Sequence, residues 1–189
     1  MLKKIIKRYG YYLLAFSLIL VIGITVGVAD LGQSAPKPDM DNSTPTATMP
    51  VQMISPMDGA EVLKWYSDGE LFYNSTLKQW ESHRGVDLMS TASSDVRSVL
   101  DGVVVDCSYS YEDGYCVTIE HASGISTTYC SLKDSVLVKK GDSIKQGQKI
   151  GEVSTSASNE SDSGNHLHFQ VTLNGSYVDP ANYITFENK

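Results

Sequence analysis

From residue 53 onward, apolar side chains fall in short runs cut by turn residues, with no sustained helical period. GVVVDCSY opens behind Asp101-Gly102, YEDG turns, and YCVTIEH follows as a β-branched and aromatic run, which together make the pattern of a hairpin. ISTTYCSL predicts a further strand, and VLVKKGDSIKQGQKIGEVS is broken into short pieces by Gly141, Gly147 and Gly151. HLHFQVTL then meets Asn174-Gly175, a strong two-residue hairpin signal, before SYVDPANYI. Ordered composition resumes at Met53-Ile54, so the pattern predicts a compact antiparallel all-β domain over residues 53–189.

The preceding residues have a different texture. Tyr9 to Ala29 carry no charge, and about 20 apolar residues suffice for a helix to cross a hydrocarbon core. Signal-peptide cores run roughly 7–15 residues, so the length of this run favours a retained transmembrane helix. Gly27-Val28-Ala29 nevertheless has the small residues of a cleavage site. Residues 1–8, with Lys3, Lys4, Lys7 and Arg8, predict a cytoplasmic stub, which places everything after the span outside the cytoplasm. Residues 30–52 are rich in Pro, Ser, Thr and Asp with few large apolar groups, and predict a flexible tether.

Charge narrows the partners. The chain has a formal net charge of -7, from 15 basic and 22 acidic residues. Four of the basic ones precede the span and all the acidic ones lie at or after Asp30, so the exported part is near -11. Such a surface repels polyanions; nucleic acid is excluded as a partner and a protein fits better. Cys107, Cys116 and Cys130 are an odd number for an exported domain and predict no disulfide framework. Cys107 and Cys116 flank the expected turn and could pair across it or remain reduced; no CxxC spacing suggests a thiolate metal site.

Histidine supplies the candidate chemistry. His166 and His168 stand two apart on an expected strand and therefore on one face. A catalytic zinc site needs three protein ligands and an open position, and His83 with Asp87 four residues later offers a nitrogen and an oxygen. HRGVDL, DGVVV, VTIEHASGISTTY, VKKGDSIKQGQKIG and GNHLHFQVTLNGSYVDP, in that order, resemble the M23 peptidases, the LytM-type or lysostaphin-type zinc endopeptidases. The resemblance runs over most of residues 54–184. It implies one zinc ion held by His83, Asp87 and His168, with His166 a catalytic residue beside the metal-bound water and peptidoglycan peptides of the cell wall as substrate. Zinc chemistry suits amide hydrolysis, since the ion acidifies water and polarises a carbonyl while a histidine handles protons.

One position departs from the family pattern. Active members carry a histidine in TxYxHL, and this chain reads Thr127-Thr128-Tyr129-Cys130-Ser131-Leu132, with Ser131 where that histidine is expected. Loss of one oxyanion donor typically costs roughly 10²–10³ in rate. Restoring it as Ser131→His is expected to raise turnover if the cleft is intact. His121 is expected around the site or at the surface, Tyr129 in strand packing, and Trp65, Tyr66, Tyr73 and Trp80 divided between core and groove.

A stub, one span, a tether and one M23-type domain with an altered site resemble the sporulation members of the family. That resemblance implies a protein of the forespore membrane that faces the intermembrane space and binds a mother-cell membrane protein during engulfment. Two readings stand: a zinc-binding domain with impaired catalysis that docks onto a protein, or a working endopeptidase.

Overall fold

The structure, a computed structural model, describes residues 51–186. The stub, the apolar span and all of the tether except Val51 and Gln52 lie outside the described residues. Among the described residues no helix is long and apolar enough to cross a membrane.

The first strands are Glu61–Lys64 (β1), Ser67–Asn74 (β2), Gln79–His83 (β3), Val86–Met89 (β4), Asp95–Arg97 (β5) and Gly102–Ser110 (β6). Gly114–Glu120 (β7), Ile125–Leu132 (β8), Ser143–Ile144 (β9), Lys149–Glu152 (β10), Leu167–Leu173 (β11) and Ser176–Val178 (β12) follow. The main sheet runs β1-β4-β11-β8-β7-β6-β9, with β12 paired to β11, and its pairs are antiparallel. β5 with β10 and β2 with β3 form separate two-stranded ribbons. Helical structure among the described residues is confined to 3-10 turns at Ala122–Gly124, Ser158–Ser163 and Pro180–Asn182. The all-β expectation is met.

The turns are those written in the sequence. Asn174 and Gly175 both have positive φ, 50° and 81°, as the two central residues of a type I′ hairpin require. The β6–β7 hairpin closes through Ser110, whose hydroxyl accepts from the Asp113 amide at 2.8 Å. Alternation then divides each central strand. Leu167, Phe169 and Val171 of β11 enter the core beside Tyr129 of β8, Val117 and Ile119 of β7, and Val86 and Leu88 of β4. Each such side chain contributes about 1.5–3 kcal/mol by leaving water. His168, Gln170 and Asp87 are thereby turned to the opposite face.

Two local features position that face. Gly85 joins β3 to β4 where the backbone of β11 passes close by. A Cβ there would stand 2.7 Å from the Phe169 carbonyl oxygen and 3.1 Å from His168 Cε1, so only glycine lets His83 and Asp87 flank this crossing. In β8, the register against β7 shifts between Val117↔Tyr129 and Tyr115↔Leu132, leaving Cys130 and Ser131 opposite Cys116. Ser131 takes φ of 61° in this bulge.

The bulge also sets the cysteine pairing, which is Cys116–Cys130 with Cys107 free. The Cys107–Cys116 pairing, one of the two alternatives the sequence left open, fails on geometry. Cys107 is registered against Val117 and Cys116 against Ser108, so the two cysteines leave the β6–β7 hairpin on opposite faces. The alternative of reduced thiols holds for Cys107 alone.

Candidate metal centre

Asp87 and His168 are direct cross-strand partners on β4 and β11. The strand pairing alone therefore brings a carboxylate and an imidazole together, with His168 Nδ1 2.8 Å from Asp87 Oδ1. His83 arrives from the end of β3. Its Nδ1 donates to the Trp65 carbonyl at 2.9 Å, which aims Nε2 at Asp87 Oδ1 at 3.1 Å and His168 Nδ1 at 3.3 Å. A backbone carbonyl on the far nitrogen is the usual way to orient a ligating imidazole. Gln170, two residues along the same face, holds its side-chain amide 3.0 Å from His168 Nε2 and steadies that ring too.

The three atoms His83 Nε2, Asp87 Oδ1 and His168 Nδ1 thus form a triangle with sides of 2.8–3.3 Å. Ligands about 2.0–2.1 Å from a tetrahedral zinc ion stand roughly 3.3 Å apart, so this face fits the ion with small outward relaxation. A second observation agrees. Asp87 is fully buried and its Oδ2 has no hydrogen-bond partner, a cost that a cation at the cluster would offset. The donor set of two nitrogens and one oxygen is the type that zinc takes in hydrolytic sites.

A fourth group converges on the cluster. Glu160, in the 3-10 turn Ser158–Ser163, places Oε1 3.7 Å from His83 Nε2 and Oε2 3.5 Å from His168 Nδ1. His166 immediately precedes β11, is wholly buried, donates from Nδ1 to the Gly164 carbonyl at 2.9 Å, and meets Glu160 Oε2 through Nε2 at 3.3 Å. His166 and His168 both come to the site, but the groups with ligand geometry are His83, Asp87, Glu160 and His168. Sequence reasoning missed Glu160. It lies in a Ser-, Asn- and Asp-rich stretch, TSASNESDSGN, that reads as a solvated loop and offers no periodic signal.

Electrostatics follow from this crowding. Burial pushes the Asp87 carboxyl up, but hydrogen bonds from His168 and His83 prevail and hold it far below the usual carboxylate range. Glu160 is likewise raised by burial and lowered on balance by its bond to His166 and the charges of His168 and Lys64. For His166 and His168, burial pushes the imidazoles down, and the carboxylates facing them win and raise both.

The cluster opens into a cleft of about 190 Å³ whose lining includes His83, Arg84, Asp113, Cys130, Glu160 and His168. Ser131 is not part of that lining. It is fully buried and donates its hydroxyl to the Ser154 carbonyl at 3.0 Å, while Cys130 stands opposite His168. His121 also departs from expectation, being neither at the surface nor around the cluster. It is buried with Nδ1 2.9 Å from the Asp101 carbonyl and Nε2 2.7 Å from the Thr127 hydroxyl, which in turn meets the Tyr129 hydroxyl at 3.1 Å. Of Trp65, Tyr66, Tyr73 and Trp80, the first two pack on the core, and Tyr73 and Trp80 stack edge to face with more than half of each exposed.

This fold and cluster define a metallopeptidase-type domain, and the family model "Peptidase family M23" matches residues 81–180; the chain belongs to that family. Within it, the chain is 39% identical over 114 residues to stage II sporulation protein Q of Bacillus subtilis (strain 168), covering 59% of this chain. It spans only 38% of that relative's length. Among solved structures, the SpoIIQ–SpoIIIAH pore forming complex aligns with a TM-score of 0.62 at 31% identity, over 71% of this chain and 91% of that one. A zinc containing peptidase from Vibrio cholerae aligns with a TM-score of 0.53 at 29% identity, over 63% and 35% of the two chains.

Proposed function

We propose that this chain is a single-span protein of the forespore membrane, that its M23 domain lies outside the cytoplasm, and that the domain docks onto a mother-cell membrane protein resembling stage III sporulation protein AH. The observation that carries this reading is the likeness to the SpoIIQ–SpoIIIAH complex, which extends over nearly all of the aligned chain. The basic stub, the uncharged run from Tyr9 to Ala29 and the acidic remainder support the anchor and its orientation. His83, Asp87 and His168 hold one zinc ion in this reading. Its hydrolytic use is impaired, because no imidazole stands at Ser131 and His166 is occupied by Glu160.

The test is association of the full chain, in detergent, with the ectodomain of a SpoIIIAH-like protein from the same organism. Co-elution as a stable complex is expected. Absence of association at micromolar concentrations would remove the docking reading.

A second reading, a working peptidoglycan endopeptidase, is favoured by the complete ligand triangle and by the likeness to a zinc containing peptidase. Bound zinc would supply an acidified water and a polarised carbonyl. This chain's residues would then orient the substrate in the cleft. Release of new amine termini from purified cell wall, lost in His83→Ala, would establish it; no release with zinc in excess leaves the docking reading alone.

A further inference from the structure

We propose that Glu160 is a resident fourth ligand that closes the metal site, giving the ion protein donors at all four positions. The proposal rests on the reading of His83, Asp87 and His168 as ligands. It changes what the site does: four protein donors make a structural zinc, whereas catalysis needs a position open to water.

The geometry assigns Glu160 to the vacant corner. One donor atom from each of His83, Asp87, Glu160 and His168 lies within 4.8 Å of all the others. The carboxylate spans the two imidazoles, with one oxygen facing each, at 3.7 and 3.5 Å. Its side chain is 12% exposed, so solvent has little access from that side.

Charge agrees with closure. Asp87 and Glu160 together carry the two negative charges that neutralise a divalent cation, and the two imidazoles ligate as neutral groups. Lys64 Nζ, 3.3 Å from Glu160 Oε1, adds a cation at the edge of the cluster, so each buried carboxylate faces a partner of opposite charge.

The turn that carries Glu160 is built and braced. Ser158 donates its hydroxyl to the Tyr111 carbonyl at 2.6 Å, and the Asn159 amide donates to the Glu112 carbonyl at 3.2 Å. Asn74 Nδ2 donates to the Asn159 carbonyl at 3.0 Å, and the Asp162 amide donates to the Thr76 hydroxyl at 3.3 Å. The β6–β7 turn and the β2–β3 hairpin thus grip the segment from two sides. Glu160 itself leaves the 3-10 conformation, at φ of -128° and ψ of 28°, which lets its side chain point inward.

The same carboxylate disarms the candidate base. His166 Nδ1 is committed to the Gly164 carbonyl, so Nε2 is the only nitrogen it can offer, and Nε2 faces Glu160 Oε2. Lys64 Nζ donates to the other oxygen at 3.3 Å. One residue therefore fills the water position and occupies the proton carrier.

Cobalt(II) reports the coordination directly. The full chain in detergent is loaded with cobalt and its visible spectrum is followed as acetohydroxamate, a ligand for open metal positions, is added. The spectrum of the wild-type protein is expected to stay unchanged, while that of Glu160→Ala shifts as the hydroxamate enters. In chelator competition, Glu160→Ala is expected to hold zinc at least tenfold more weakly, and Glu160→Gln, which keeps the shape of the turn, to fall between the two. A wild-type spectrum that shifts with hydroxamate as far as that of Glu160→Ala overturns the closure and leaves the three-ligand site standing. A wild-type chain that takes up no cobalt overturns the three-ligand site and the closure with it.

Discussion

Asp87 and His168 stand directly opposite each other on adjacent antiparallel strands, with His168 Nδ1 2.8 Å from Asp87 Oδ1. Residues far apart in the chain are thus brought into one cluster through backbone register, before any loop is considered. A slip of one residue in the β4–β11 pairing would turn Asp87 into the core and dismantle the site.

Metal removal should therefore be felt by the whole domain. The buried Asp87 Oδ2 and the paired imidazoles gain from an ion in the folded state only. With zinc at about 100 times its Kd, the linkage term is about 2.7 kcal/mol. Thermal unfolding of the full chain is expected to shift down with excess chelator, and Asp87→Asn should make the protein insensitive to chelator.

Cysteine pairing gives an independent check on the strand register. The Cys116–Cys130 bond closes a short loop, with a sequence separation of 14, for which the chain-entropy account gives about 3 kcal/mol. Thiol titration is expected to find one reactive cysteine per unfolded, non-reduced chain and three after reduction. Cys116→Ser should lower the unfolding midpoint, and Cys107→Ser should leave the midpoint nearly unchanged.

Ser131→His now carries a different expectation from the one its sequence position suggests. Its side chain is fully buried against the Ser154 carbonyl, in a bulge with positive φ, and an imidazole there overpacks the site. Overpacking typically costs about 1–3 kcal/mol. Loss of stability without gain in peptidoglycan hydrolysis is expected; the assay is muropeptide release beside thermal unfolding.

His121 predicts a pH dependence. Burial pushes its imidazole below the ordinary value of 6.5, against the opposing pull of the Asp101 carbonyl and carboxylate. In the unfolded chain it takes up a proton first, so the stability it contributes is complete above about pH 6.5 and is lost as pH falls from there toward the folded value. His166 and His168 shift the other way. The informative quantity is thus the difference between wild type and His121→Gln in urea unfolding from pH 8 to pH 5: it should shrink on acidification.

Much of the fold was legible because its signals are local. The Asn174-Gly175 turn, the β6–β7 hairpin and the alternation of LHFQVTL each follow from a few neighbouring residues, and the structure follows them. The spacing of His83 to Asp87 and the place of His168 were legible through family resemblance, and their convergence is a matter of strand register. Glu160 was not legible, since a polar turn is brought to the cluster by contacts from β2–β3 and β6–β7. The disulfide was not legible either: the bulge at Cys130 and Ser131 is what moves Cys130 beside Cys116. His121 was misplaced because a buried hydroxyl network looks, in sequence, like any polar residue at a strand end.

The account turns on a metal held by residues from β3, β4 and β11, and the zinc content of the purified full chain tests it most directly. Elemental analysis of wild type beside His168→Ala, both folded by circular dichroism, is predicted to give one zinc per wild-type chain and none in the variant. Equal zinc in the two proteins, or none in either, would contradict it.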